Sequence, residues 1–299
     1  MSRLADAEVH AVGLLVEQVT ESDAERPLSE EATLQLRRGA TARHVLVWHD
    51  TADRERLVGY GQVGTGPGAA AELAVHPQHR RRGLGRALLR LLESEAAPDP
   101  LSVWAHGNLP AAAQLAQRLG CVPARTLLRL RRSLPSPLPA PRWPAGITVR
   151  TFRLGQDEPA WLEVNRRAFT ALPDQGGWGR DELDARLREP WFDPSGFFLA
   201  YDDAGRLAGF HWTKIHPADA GEAGFGEVYV IGVDPDYGGL GLGRALTLAG
   251  LAYLRDRGLA VVTLYVDAGN TGALALYRGL GFSLLGTDVQ YVAAPDSAD

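Results

Sequence analysis

Short β-prone runs and longer helical patterns follow one another along the chain in an order that occurs twice. Val45-Leu46-Val47 and Leu57-Val58-Gly59-Tyr60 in the first half read as strands of a hairpin, as do Phe197-Phe198-Leu199-Ala200 and Leu207-Ala208-Gly209-Phe210-His211-Trp212 in the second. The turn Asp202-Asp203-Ala204-Gly205 separates the latter pair. Apolar residues at helical spacing, such as Leu242, Leu246, Ala249 and Tyr253, predict helices over 83–96 and 241–257, ending near Pro98 and Gly258. A strand over 261–266, a helix over 271–279 and a final strand over 282–292 complete the second half.

Pro135, Pro137, Pro139, Pro141 and Pro144 interrupt the chain between Ser133 and Gly146, where regular helix or sheet is forbidden and a stiff extended segment is favoured. This predicts an N-terminal domain over 1–134, a linker over 135–146 and a C-terminal domain over 147–299. The two halves repeat one another. Leu73-Ala74-Val75-His76-Pro77 with Arg82-Gly83-Leu84-Gly85-Arg86-Ala87-Leu88 matches Ile231-Gly232-Val233-Asp234-Pro235 with Leu240-Gly241-Leu242-Gly243-Arg244-Ala245-Leu246, both at an offset of 158 (233 − 75, 241 − 83). Gly107-Asn108 leads to Leu119-Gly120-Cys121 as Gly269-Asn270 leads to Leu280-Gly281-Phe282. The expected fold is therefore α+β, a mixed and mostly antiparallel sheet flanked by helices, built twice.

The composition narrows the classes. Lys+Arg 31 against Asp+Glu 36 leaves a net charge of -5, so no positive field favours nucleic acid or an anionic membrane. No apolar run approaches the roughly 20 residues of a membrane span, and the acidic N-terminus lacks the pattern of a signal peptide. With a single cysteine, Cys121, no internal disulfide forms, and a cytoplasmic, monomeric protein is expected. His76 and His79 share a loop with no third ligand at metal spacing, so no metal is expected. Lys214 is the one lysine among the 31 basic residues.

A glycine-rich turn opening a helix offers free N–H groups and the positive end of the helix dipole, a receptor for pyrophosphate. Gly241-Leu242-Gly243-Arg244-Ala245-Leu246 lacks the third glycine of a dinucleotide fingerprint, and no P-loop lysine is present. Both halves instead resemble the GCN5-related N-acetyltransferases: a strand ending in Val-x-Pro, the turn Gln78-His79-Arg80-Arg81-Arg82-Gly83-Leu84-Gly85, a helix, a strand, then Asn and a helix ending in Leu-Gly-Phe. The resemblance implies that the strand and turn bind acetyl-CoA. In the first half these roles fall on Leu73, Ala74 and Val75, then Arg81, Arg82, Gly83, Leu84, Gly85 and Arg86. In the second they fall on Ile231, Gly232, Val233, Gly238, Gly239, Leu240, Gly241, Leu242, Gly243, Arg244 and Asn270. The second turn departs from the pattern, because Tyr237-Gly238-Gly239-Leu240 contains no arginine.

Amide formation needs a base for the amine and an acid for the leaving thiolate. Glu227, on the strand leading to the second turn, is placed to be that base, and Tyr277 lies where the family has a tyrosine that protonates the CoA sulfur. Glu227 minus 158 falls on Ala69, and Tyr277 minus 161 (280 − 119) falls on Ala116, so the first half lacks both groups. Chemistry is expected in the second half, with the first binding acetyl-CoA at most. The runs G-F-H-W-T-K-x-H-P at 209–217 and G-E-V-Y-V-x-G-V-D-P at 226–235, with Trp104-Ala105-His106-Gly107, narrow the resemblance to tandem actinobacterial members. These acetylate the cysteinyl amine of a cysteine–glucosamine–inositol conjugate by direct attack. The resemblance implies acceptor contacts at Glu30, Asp174, Lys214, Glu227 and Tyr265. The alternatives are another amine, such as an aminoglycoside, a polyamine or a protein N-terminus, or a CoA sensor without catalysis.

Overall fold

The computed structural model describes residues 3–38, 42–51, 54–65, 70–97, 100–218 and 223–294. Helices α1 (Asp6–Asp23) and α2 (Glu30–Arg38) precede strands β1 (Ala42–Thr51), β2 (Arg54–Gly64) and β3 (Ala70–Val75). Then come α3 (Leu84–Ala96), β4 (Ser102–Ala105), α4 (Pro110–Arg118), β5 (Cys121–Ser133) and β6 (Thr148–Thr151). Helices α5 (Glu158–Ala168), α6 (Pro173–Gly176) and α7 (Arg180–Leu187) lead to strands β7 (Phe197–Tyr201), β8 (Leu207–His216) and β9 (Phe225–Val233). The chain ends with α8 (Leu242–Asp256), β10 (Val261–Asp267), α9 (Thr271–Gly279) and β11 (Ser283–Ala293). Every strand and helix expected from periodicity is present, while α1 and α5 to α7 were not read from the pattern.

The chain divides into two compact units, Met1–Leu127 with Thr287–Asp299, and Leu128–Gly286. The division thus runs through the long strands β5 and β11 rather than through the proline-rich stretch. That stretch is held within the second unit: Leu134 is fully buried and donates its N–H to the Ala260 carbonyl, and the Arg132 guanidinium donates to the carbonyls of Ser133 and Pro137. The proline ring imposes an extended path but does not free it from the core.

In the first unit β1, β2 and β3 pair antiparallel, β3 pairs parallel with β4 across α3, and the end of β11 pairs antiparallel with β4, Val289 opposite Ala105. Val12, Leu15, Val16 and Val19 form one buried stripe of α1 at spacings of three and four, packed in a cluster with Tyr60 and Ala74. In the second unit β6 to β9 form an antiparallel run and β10 joins β9 in parallel. Leu207 to Lys214 of β8 are all buried, as in a strand covered on both faces. Trp161, Phe197, Phe210 and Trp212 fill one side, the Phe197 and Trp212 rings stacked with centroids 4.5 Å apart.

On the other side α8 lies close to β8. Burial lowers the imidazole of fully buried His211 to about 4, and its Nδ1 lies 2.8 Å from the Leu246 carbonyl. A Cβ at Gly250 would fall 2.1 Å from that held ring. Gly250→Ala is therefore expected to overpack the interface by about 1–3 kcal/mol, more than the roughly 1 kcal/mol gained in helix propensity, and to lower the melting temperature. An unchanged Tm would show that the helix can step back freely.

Candidate active site

Strand β9 carries the centre of the second unit's site. Phe225, Glu227 and Tyr229 share one face, and the irregularity opposite Trp212 and Thr213 turns Ile231 and Val233 to the other, where both pack against Leu242 and Leu246 of α8. Glu227 is flanked by Lys214 on β8 and Thr263 on β10, each its register partner, so the three lie in line across neighbouring strands on the same face. Tyr265, two residues beyond Thr263, shares that face and is exposed.

The polar groups there are tightly held. The Glu227 carboxylate Oε2 lies 2.6 Å from His216 Nε2, and the His216 ring stacks on Phe225 with centroids 4.2 Å apart. The buried Lys214 ammonium sits over the rings of Trp191, at 4.5 Å, and Tyr229, at 5.3 Å. Arg186 on α7, also buried, donates to the Tyr229 hydroxyl at 2.8 Å and covers Trp178 at 3.6 Å. A register shift between Trp212 and Thr213 leaves Tyr229 as an extra residue of β9, opposite no partner on β8.

The parallel ladder between β9 and β10 joins Gly226, Glu227 and Val228 to Val262, Thr263 and Leu264, while β9 runs on to Val233 and β10 to Asp267. Ile231, Gly232 and Val233 lie beyond this ladder. The first unit repeats the device: β3 joins β4 at Ala70 and Ala71 only, and Leu73, Ala74 and Val75 lie beyond. Strands leaving a ladder present backbone N–H and C=O groups that an extended ligand can pair with.

Each turn that follows delivers a helix with no side-chain cap. Gly241, at φ +82°, precedes α8, and Gly83, at φ +86°, precedes α3. A Cβ at either would meet open space, so the requirement for glycine is the left-handed backbone and not packing. Gly238, Gly239, Leu240 and Arg244 are exposed around the second turn, whereas Leu242 is buried in the core and Gly243 half-buried. Around the first turn Arg80 is committed to Asp23 by two bonds of 2.8 Å, which leaves the exposed Arg81, Arg82 and Arg86 as its cations. The uncapped N–H groups and open approach fit a pyrophosphate at both turns.

Tyr277 lies on α9 within the core formed with Val228, Leu264 and Val266, and burial pushes its phenol up. Val228 and Leu264 point away from Glu227, so Tyr277 and Glu227 lie on opposite faces of the sheet. Past Val228 and Leu264 the ladder between β9 and β10 ends and a gap opens between the two strands. Asn270 caps α9, its Oδ1 accepting from Ala273 N at 3.0 Å. Asp174 stands on α6, with its side chain outside the described residues. Glu30 opens α2 in the first unit, where Ser29 Oγ accepts from Ala32 N as an N-cap. Ala116 is buried on α4, and Ala69 lies outside the described residues.

The first unit holds a cavity of about 530 Å³, lined by Leu73, Val75, Gly83, Gly85 and Arg86 at the turn and by His106, Cys121 and Tyr291 elsewhere. Glu72, on strand β3 leading to this turn, is buried and accepts from Ser29 N at 2.6 Å. His106 Nδ1 lies 3.0 Å from Asp288, and its Nε2 lies 3.5 Å from Glu72, too long for a good hydrogen bond. Burial opposes its charge, but the bond to Asp288 and the nearby Glu72 carboxylate outweigh this and push it up to about 10. A histidine raised above its unfolded value of about 6.5 contributes stability that is complete below that pH and is lost as pH rises through about 10. Stability measured by thermal unfolding is therefore expected to fall from about pH 7 to 10 by on the order of a few kcal/mol, and less so in His106→Asn. Equal slopes in the two proteins would remove the charged imidazole. Among the described residues no group of three or more His, Cys, Asp or Glu side chains is arranged to hold a metal, and no helix is long and apolar enough to cross a membrane.

The acetyltransferase (GNAT) family model matches residues 159–282, and the acetyltransferase (GNAT) domain model matches residues 41–121. A tandem GNAT protein from the clavulanic acid biosynthesis pathway shares the fold at TM-score 0.71, 22% identical, over 99% of this chain and 98% of its own. A GCN5-related N-acetyltransferase from Sphaerobacter thermophilus aligns at TM-score 0.68, 28% identical, over 98% of this chain and 95% of its own. Two splayed strand pairs, each followed by an uncapped glycine turn, thus define a tandem N-acetyltransferase of the GNAT class, whose co-substrate is acetyl-CoA. The mycothiol acetyltransferase of Geodermatophilus obscurus is 52% identical over 97% of this chain and 96% of that protein, and that of Thermomonospora curvata 52% identical over 98% and 96%. The chain belongs to the mycothiol acetyltransferase family.

Proposed function

We infer that the second unit transfers acetyl from acetyl-CoA to the cysteinyl amine of the cysteine–glucosamine–inositol conjugate, in the cytoplasm and as a monomer, while the first unit binds acetyl-CoA without turning it over. The observation that carries this reading is the alignment of Lys214, Glu227 and Thr263 on one sheet face, beside the gap between β9 and β10. Glu227 takes the proton of the attacking amine. An α-amino group has a pKa of about 7.7–8.0, so part of it is already neutral near pH 7 and a carboxylate suffices as base. Backbone groups of Ile231 to Val233 pair with the pantetheine arm, and the N–H groups opening α8 hold the pyrophosphate. Tyr277, kept protonated by burial, delivers its phenol proton to the departing sulfur. The amine attacks the thioester carbonyl directly, the C–N bond forms as the C–S bond breaks, and no acyl-enzyme is formed.

Lys214 and the exposed Tyr265 supply donors to a hydroxyl-rich acceptor on this face, with Asp174 and Glu30 as further carboxylate contacts. Mass spectrometric fragmentation of the product tests the reading. A single acetyl group on the cysteinyl nitrogen supports it. Acetyl on the sulfur or on a sugar oxygen, or no product, removes it.

A further inference from the structure

We propose that His216 is a positioning residue for Glu227: its imidazole holds one carboxylate oxygen and so aims the other at the attacking amine. The inference rests on the reading of Glu227 as the base. His216 stands two residues beyond Lys214 on β8, so it returns to the same face, and its Nε2 lies 2.6 Å from Glu227 Oε2. With the Nε2–H donating, Oε2 is occupied and Oε1 keeps its lone pairs for the amine. Phe225 stacks on the imidazole at an interplanar angle of 10° and fixes the ring plane, hence the direction of that bond.

The Glu227 side chain is 13% exposed and that of His216 30%, so the pair lies at the rim of the face with its hydrogen bond partly shielded from water. No bond to substrate is made by His216, and no net proton is consumed: the amine proton goes to Oε1 and leaves to water after product departs.

The test compares kcat and the KM for acetyl-CoA of the full-length protein with those of its His216→Gln and His216→Ala variants, kcat being read with acetyl-CoA and the cysteine–glucosamine–inositol conjugate saturating. Glutamine keeps an N–H donor for Glu227, and alanine keeps none. His216→Ala is expected to lose roughly tenfold in kcat with the KM for acetyl-CoA unchanged, and His216→Gln to restore most of it. An alanine variant with parental kcat, or a glutamine variant as slow as the alanine one, overturns the proposal. His216→Asn supplies a second amide should the glutamine variant not fold. If Glu227→Gln keeps parental kcat, the premise fails; if it collapses while His216→Ala keeps parental kcat, only the role of His216 fails.

Discussion

Glu227→Gln lowers kcat by about 10²–10⁴-fold at neutral pH and leaves the KM for acetyl-CoA within about twofold of the parent. Glutamine matches glutamate in size and still offers an oxygen to His216 Nε2, so the face shared with Lys214 and Thr263 keeps its shape. What it loses is the capacity to take a proton. The elements proposed to hold acetyl-CoA, Ile231 to Val233 and the turn before α8, lie farther along β9 and beyond it, so donor affinity is expected to be spared. Steady-state kinetics at neutral pH and again at about pH 9, where the amine is mostly neutral, checks this. The deficit is expected to shrink at the higher pH without vanishing. Parental kcat at both pH values would remove Glu227 as the base.

The second large effect separates the two turns. Gly241→Asp places a carboxylate and a strained left-handed residue at φ +82° before α8, the position proposed to receive the pyrophosphate. Charge-assisted bonds of about 1.5–3 kcal/mol are lost or reversed there, so the KM for acetyl-CoA rises by roughly ten- to hundredfold. Gly83→Asp makes the same change at φ +86° before α3. The first unit lacks a base and an acid in the required places, so kcat in the folded Gly83→Asp protein is expected to stay within about threefold of the parent. A second-unit variant with normal kinetics and a first-unit variant without turnover would reverse the assignment of the enzyme.

The strand, glycine turn and helix at the centre of each unit were legible because local chemistry specifies them: hydrophobic runs change period at Gly83 and Gly241, where only glycine takes the left-handed backbone readily. Helix α1 was as regular, with Val12, Leu15, Val16 and Val19 on one stripe, but its acidic first turn drew attention to what it was not. Contacts distant in sequence were a different matter. His106 meets Asp288 across 182 residues, and Asp288 belongs to the first unit only because the end of β11 pairs with β4 there. No local pattern announces such a pairing. The repeat likewise pointed to Ala69 as the position matching Glu227, and Glu72, the buried carboxylate of that strand, emerged only with the register.

His216 was present in the motif yet carried no role until the hairpin of β8 and β9 brought it to Glu227. Alternation alone places it on the Lys214 face, but no local pattern fixes the register of β8 on β9, so the partner strand's residue had to be seen. Asn270 was singled out by its position in the motif, and the fold adds a role the motif did not announce: its side chain caps α9 by accepting from Ala273 N.

The specificity constant for the cysteine–glucosamine–inositol conjugate, measured beside a polyamine, an aminoglycoside and a peptide N-terminus with acetyl-CoA as donor, tests the central claim most directly. The account predicts a kcat/KM for the conjugate at least about a hundredfold above the other three, abolished in step with kcat by Glu227→Gln. A higher kcat/KM for any of the other amines, or no turnover of the conjugate by the parent, would contradict it.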